Sequence, residues 1–208
     1  MSESSTKITI AQSHEVEIDK IKGSRFIGFA FPLANIEKME SMVQVLWQQH
    51  PDARHVCWAY RGSSPDIIRM VDDGEPSGTA GKPILTVIEG RGLESVGVAV
   101  VRYFGGTKLG TGGLARAYSS ACQAVLADCK EKYLKLKRTL NIEIQYSFEG
   151  SLLYLLEQQE AIIVKREYSD RVMIEAILLS DRASLVSAEM TERTSGQAKI
   201  AQSDEFWA

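Results

Sequence analysis

Residues 105–113 read Gly-Gly-Thr-Lys-Leu-Gly-Thr-Gly-Gly, and five glycines in nine positions favour a loop over the interior of a helix or strand. The flanks are equally definite. SVGVAVVRY (95–103) is apolar on both faces, as a strand in the middle of a sheet must be. LARAYSSACQAVLADC (114–129) is alanine-rich, with Leu114, Tyr118, Ala121 and Val125 on one face, which predicts a helix packed closely on a sheet and running to about Lys130. A second glycine-rich block stands upstream, Asp72-Asp73-Gly74-Glu75-Pro76-Ser77-Gly78-Thr79-Ala80-Gly81-Lys82-Pro83. It places three carboxylates in four positions ahead of a short helix around Ile84, Leu85, Val87 and Ile88.

The rest of the first half reads as antiparallel strands and one amphipathic helix. Strands are expected at KITIAQ, HEVEIDK and SRFIGFAF, the last two joined by a turn at Lys22-Gly23. Asn35 is placed to cap a helix carrying Ile36, Met39, Val43, Leu46 and Trp47 toward the core, with Pro51 at its end. RHVCWAY and DIIRMV follow as strands across Gly62-Ser63-Ser64-Pro65. The charged stretch KEKYLKLKR is the expected domain boundary, separating residues 1–135 from residues 136–208. Beyond it come a strand (139–147), a helix (148–159), two strands (161–169 and 171–179), a helix (183–195) and a strand (197–203). That order, βαββαβ, is the split ferredoxin-like arrangement, and the class expected for the whole chain is α+β.

Composition narrows the chemistry. Three cysteines, Cys57, Cys122 and Cys129, form no CxxC pair and no zinc spacing, so buried thiols in a reducing compartment are expected. Cys122 and Cys129 lie on one face of the expected helix. His55 and Cys57 point to one side of their strand, but His14 and His50 add no third-ligand pattern, and no metal is expected. The first residues lack the regions of a secretory signal and no apolar run is long enough to span a bilayer, so the expected location is cytoplasmic, with no membrane partner. Cut after Lys137, the chain carries 17 Lys and Arg against 15 Asp and Glu before the cut, and 7 against 12 after it. The acidic second part is a poor clamp for nucleic acid.

Both glycine-rich blocks are candidate sites. In the first, Asp72, Asp73 and Glu75 either hold a hard cation through oxygen ligands or orient a partner's basic group, the alternative being that Asp73 and Glu75 accept backbone N–H groups within the loop, while Thr79 caps the helix and Pro83 fills its first turn. In the second, Gly105, Gly106, Gly110, Gly112 and Gly113 lead into a helix start, where free N–H groups attract anions, and Arg102, Lys108, Arg116 and Lys82 add positive charge. The residues are not a Walker A loop, because Thr111-Gly112 follows Gly110 where Lys and Ser or Thr are required. Gly110-x-Gly112-x-x-Ala115 matches only the relaxed dinucleotide fingerprint, with no ribose-binding acid on a second strand. No nucleophile motif or triad is legible.

The ordered series Ser24-Arg25-Phe26-Ile27, His55-x-Cys57, DDGEPSGTAGKP and VVRYFGGTKLGTGGLARAY, followed by the small second domain, resembles the YigZ/IMPACT family over nearly the whole chain. The resemblance implies a first domain with the α+β fold of elongation factor G's fourth domain, the ribonuclease P protein and the N-terminal domain of GHMP kinases. It implies a second domain similar to the last domain of elongation factor G. That pairing implies an RNA, ribosome or translation-factor partner. Relatives carrying an additional RWD domain act in translational control through the activator of the general-control kinase, a partnership not carried over to this sequence.

Three functions follow as expectations. The first is a translation-associated regulatory or binding protein contacting RNA, the ribosome or a translation factor through the glycine-rich loops, with Tyr103 and Phe104 either stacking on unpaired bases or packed in the core. The second is a phosphate- or nucleotide-handling enzyme resembling GHMP kinases, the one case in which a cofactor, Mg²⁺ on Asp72, Asp73 or Glu75, is expected. The third is a protein-interaction module using the acidic second domain. Self-association into a homo-oligomer is compatible with each.

Overall fold

A computed structural model describes residues 6–64 and 67–208. Pro65, in the expected turn, and Asp66, at the start of the strand after it, lie outside the described residues. The chain divides into two compact units, Lys7–Tyr133 and Leu134–Ala208 together with Thr6.

The first unit holds all but the first residue of β1 (Thr6–Ile10), then β2 (His14–Ile21), β3 (Ser24–Pro32), α1 (Ile36–Gln49), β4 (His55–Arg61), β5 (Ile68–Val71), α2 (Gly81–Gly90), β6 (Val96–Tyr103) and α3 (Thr111–Ala127). Five strands form one antiparallel sheet in the order β2-β3-β6-β4-β5. The doubly apolar strand β6 is therefore its centre. Alternation along β6 sends Val96, Val98 and Val100 into a core shared with α2 and α3, and Ala99 and Val101 into a second core that includes Met39 and Leu46 of α1. Lys22 and Gly23, with φ of 48° and 82°, close the β2–β3 hairpin as a primed turn. The Asn35 side chain accepts a hydrogen bond from Lys38 N at 3.1 Å, the N-cap expected from sequence.

Helix α3 lies close on the sheet because Gly28 of β3 has no side chain. A Cβ there would sit 2.7 Å from the Ala121 carbonyl oxygen and 3.1 Å from Val125 Cγ1. Two sequence expectations change here. The helix begins at Thr111 rather than Leu114, so Gly112 and Gly113 occupy its first turn, and it ends at Ala127. Cys129 consequently lies past the helix end and shares no helical face with Cys122, whose thiol is fully buried.

The second unit contains most of β7 (Glu131–Ile144), then α4 (Glu149–Gln158), β8 (Ile162–Tyr168), β9 (Val172–Leu179), α5 (Ser180–Arg193), β10 (Lys199–Gln202) and a two-residue β11 (Phe206–Trp207). The division between units, after Tyr133, falls inside the stretch KEKYLKLKR, which from Glu131 onward forms the first half of β7. Strands β10, β7, β9 and β8 pair antiparallel in that order, the βαββαβ topology read from the sequence. Alternate residues Leu140, Ile142 and Ile144 of β7 and Val172, Ile174 and Ala176 of β9 meet Leu152 and Leu156 of α4 and Val186 and Met190 of α5. Strand β11 is too short to carry a periodicity in the sequence; it pairs Phe206 with Lys137 and Trp207 with Leu136.

Filling the Gly28 contact tests the closeness of α3. Gly28→Val is expected to destabilise the protein by about 1–3 kcal/mol through overpacking, read as a lower urea midpoint with an unchanged slope.

Candidate functional site

The two glycine-rich blocks meet at one end of the first unit's sheet. Strand register sets His55 of β4 directly opposite Arg102 of β6. Arg102 is only 4% exposed, and a buried guanidinium needs a compensating charge. Glu75 supplies it: its side chain is 4% exposed and its Oε1 accepts a charge-assisted hydrogen bond from Arg102 Nη1. The same oxygen accepts a bond from the Tyr118 hydroxyl of α3 at 2.8 Å and faces His55 Nε2 at 3.8 Å. His55 Nδ1 lies 2.7 Å from the Asp73 carbonyl, which can only accept, so Nδ1 is the donor of that bond. Ser24 Oγ accepts from Arg102 Nη2 at 3.4 Å and from Gly105 N at 3.1 Å, tying the start of the second loop to the same cluster.

Cys57 completes the cluster, with Sγ 2.9 Å from the Asp72 carbonyl and 3.3 Å from the Tyr118 hydroxyl. Burial pushes its thiol pKa up, and the neighbouring carboxylates add to the effect. Burial also raises the Tyr118 phenol, helped by Cys57 and Glu75. Both groups stay protonated at neutral pH. Tyr118 is thereby held as a donor to Glu75, and Cys57 is a packed thiol without nucleophilic character.

The other two acids are turned into the loop. Asp72 accepts from Gly78 N at 2.7 Å and from Ala80 N and Gly81 N at 2.9 Å each. Burial alone would raise its carboxyl, but these three donors outweigh it and hold the pKa below the ordinary Asp value. Asp72 thus caps α2 from a distance. Thr79, expected in that role, instead donates its hydroxyl to Pro76 O at 2.6 Å, and the residue at the cap position is Ala80. Asp73 accepts from Val56 N at 2.7 Å. Among the described residues, no group of three or more His, Cys, Asp or Glu side chains is placed to hold a metal ion.

Above the cluster opens a cleft of about 550 Å³ lined by Arg54, His55, Glu75, Arg102, Phe104, Lys108, Gly110 and Thr111, among others. Gly110, at φ 74°, turns the chain into α3, and no side chain caps that helix start. Lys108 and Arg54 have no acidic partner among the described residues, and the carboxylate in the lining, Glu75, is already paired. The unbalanced charge facing the cleft is therefore positive. Gly105 packs its backbone against Gly23, Gly106 lies exposed in the loop, and Gly112 and Gly113 form the first turn of α3. Lys82 and Arg116 line a separate shallow groove between α2 and α3, with Gly78, Ser119 and Gln123. Of the paired aromatics, Tyr103 is tied down, its hydroxyl 2.8 Å from His50 Nδ1 and its ring under Arg25 at 4.9 Å. Phe104 is 51% exposed at the cleft.

Ser24, His55 and Tyr118 stand in the motifs that carry the family resemblance, but the sequence assigns them no role, and Arg54 carries no signal of its own. The physical signal is Arg102, a charge at the end of a doubly buried strand that requires a buried acid somewhere in the chain.

A two-unit α+β protein with this arrangement has relatives. Residues 22–126 match the Impact N-terminal domain and residues 142–197 match a domain of unknown function, DUF1949. The chain belongs to the IMPACT family. It is 34% identical over 195 residues to an IMPACT family member of Haemophilus influenzae, covering 92% of this chain and 94% of that one. It is 34% identical to IMPACT family member YvyE of Bacillus subtilis, covering 93% and 88% of the two chains. It is 31% identical to IMPACT family member YigZ of Escherichia coli, covering 88% and 91%. A crystal structure of a hypothetical protein superposes with a TM-score of 0.73 at 29% identity, covering 95% of this chain and 97% of that one.

Two substitutions test the cluster. Glu75→Ala strands the Arg102 charge and is expected to cost about 3–5 kcal/mol in chemical denaturation, whereas Glu75→Ala with Arg102→Met recovers much of that loss. Asp72→Asn is expected to lose about 1 kcal/mol at neutral pH, the scale of a helix cap. Because the folded-state pKa of Asp72 lies below its unfolded value, its contribution is complete above the unfolded pKa and disappears as pH falls through the folded one. The gap between the wild type and Asp72→Asn, followed by urea melts from neutral to acid pH, closes in that order.

Proposed function

We propose that this protein is a translation-associated binding protein that contacts RNA of the translation apparatus through the cleft of its first unit. The observation that carries this reading is the uncapped glycine start of α3, which opens into a cleft whose unbalanced charge, from Lys108 and Arg54, is positive. Backbone N–H groups at a helix start and nearby cations are suited to phosphate oxygens, and most contacts between proteins and nucleic acids go to phosphate and sugar. The protein's net charge of −3 favours a local contact over general affinity for polyanions.

The alternative of a Mg²⁺-dependent phosphate-handling enzyme draws little support from the acids it needs. Asp72 accepts three backbone N–H groups, Asp73 accepts one, and Glu75 is held by Arg102 and Tyr118. These oxygens work for the fold. In the second unit several acids of the protein-module reading are already paired, such as Glu143 with Lys199 and Glu205 with Arg138.

Co-sedimentation with ribosomes at two salt concentrations tests the proposal. Binding at low salt, weakened at high salt and lost in Lys108→Ala with Arg116→Ala, is the expected outcome. Binding that survives both changes, or no binding at all alongside a large thermal shift with Mg²⁺-nucleotide, overturns it.

A further inference from the structure

Resting on that reading, we infer that the cleft takes one unpaired nucleotide of single-stranded RNA, with its base against Phe104 and its phosphate at the start of α3. Five observations converge on this ligand.

Phe104 is an exposed aromatic in a loop whose neighbour Tyr103 is packed away. The Arg102 guanidinium lies 5.6 Å from the Phe104 ring centroid and is itself locked by Glu75 and Ser24. The ring is thereby backed by a fixed, planar group, which leaves its other side as a platform. Such platforms bind bases with little regard to sequence, because every base has a π-face.

The phosphate position is defined separately. The first helical hydrogen bond of α3 runs from Leu114 N to Gly110 O, so the N–H groups of Thr111, Gly112 and Gly113 precede it without a capping side chain. Arg102, whose side chain is 5% exposed and forms part of the cleft wall, keeps one buried donor, Nε, without an acceptor. A buried donor left unmatched is unfavourable, and a ligand oxygen would relieve it.

Shape and charge select the form of the nucleic acid. A concave site of about 550 Å³ is within the range of small-ligand pockets and has room for a splayed-out nucleotide, whereas a base held in a duplex is stacked and unavailable to an aromatic side chain. The chain has a path onward. The Arg116 guanidinium lies 3.5 Å from where Gly112 would carry a Cβ, over the first turn of α3, and Arg116 shares with Lys82 the groove beside it. Lys108, Arg116 and Lys82, without acidic partners among the described residues, thus lead from the cleft to the groove between α2 and α3.

The test is fluorescence anisotropy of the full chain with a labelled hexauridylate and with an RNA duplex of the same length, at low and high salt. The single strand is expected to bind the tighter. Phe104→Ala, at an exposed position checked for folding by circular dichroism, is expected to weaken binding about tenfold, and Phe104→Trp to retain it. Lys108→Ala is expected to weaken binding and reduce the salt slope by about one. Equal binding of the duplex, or an unchanged affinity in Phe104→Ala while Lys108→Ala still weakens binding, overturns the nucleotide site and leaves the RNA contact standing. Competition by inorganic phosphate as effective as by uridine monophosphate reduces the site to a simple anion hole and also overturns it. Absence of binding to either RNA, together with no ribosome co-sedimentation, removes the functional proposal as well.

Discussion

A charged arginine sits at the end of the most buried strand of the first unit, and much of the local architecture follows from neutralising it. Taking a guanidinium out of water costs several kcal/mol unless a partner of opposite charge is held in good geometry. Glu75 is that partner, so the loop that carries it must fold back over the end of the sheet. Tyr118 and His55 then gather on the same carboxylate, and Ser24 takes up another N–H of the guanidinium. One buried ion pair therefore joins β3, β4, β6, α3 and the first glycine-rich loop.

This arrangement separates charges by direction. The acids of the first loop point inward to backbone donors or to Arg102, while Lys108, Arg54, Lys82 and Arg116 have no acidic partner among the described residues and line two concavities. A sequence that is nearly balanced in its first part thus presents a cationic rim around the start of α3. The raised pKa values of Cys57 and Tyr118 belong to the same picture, since both arise mainly from burial and keep these two groups protonated at neutral pH.

The second unit is built on other terms. Its core is an ordinary alternation of aliphatic residues from β7 and β9 against two helices, with its ion pairs near the surface, where each contributes little. Membership of the IMPACT family unites both units in relatives matched along most of their length. The chemistry argued for the cleft comes from residues of the first unit alone.

What the sequence determined by itself was everything set by local period and turn chemistry. Alternation gave the strands, Asn35 gave its helix a start, Lys22-Gly23 gave a hairpin turn, and the βαββαβ order needed no long-range information. Tertiary structure decided the partners. Glu75 and Arg102 stand 27 positions apart, and no local pattern says that this acid, rather than Asp72 or Asp73, takes the buried charge. It is decided by strand register, which sets His55 opposite Arg102, and by the helix dock at Gly28, which brings Tyr118 over both. Packing likewise extended α3 back through Gly112 and Gly113 against their weak helix propensity, and split the candidate cations between a cleft and a groove. The physical reason is the same in each case: a residue's backbone preference is encoded beside it, but the group that satisfies its charge or hydrogen bonds is chosen only when distant segments meet.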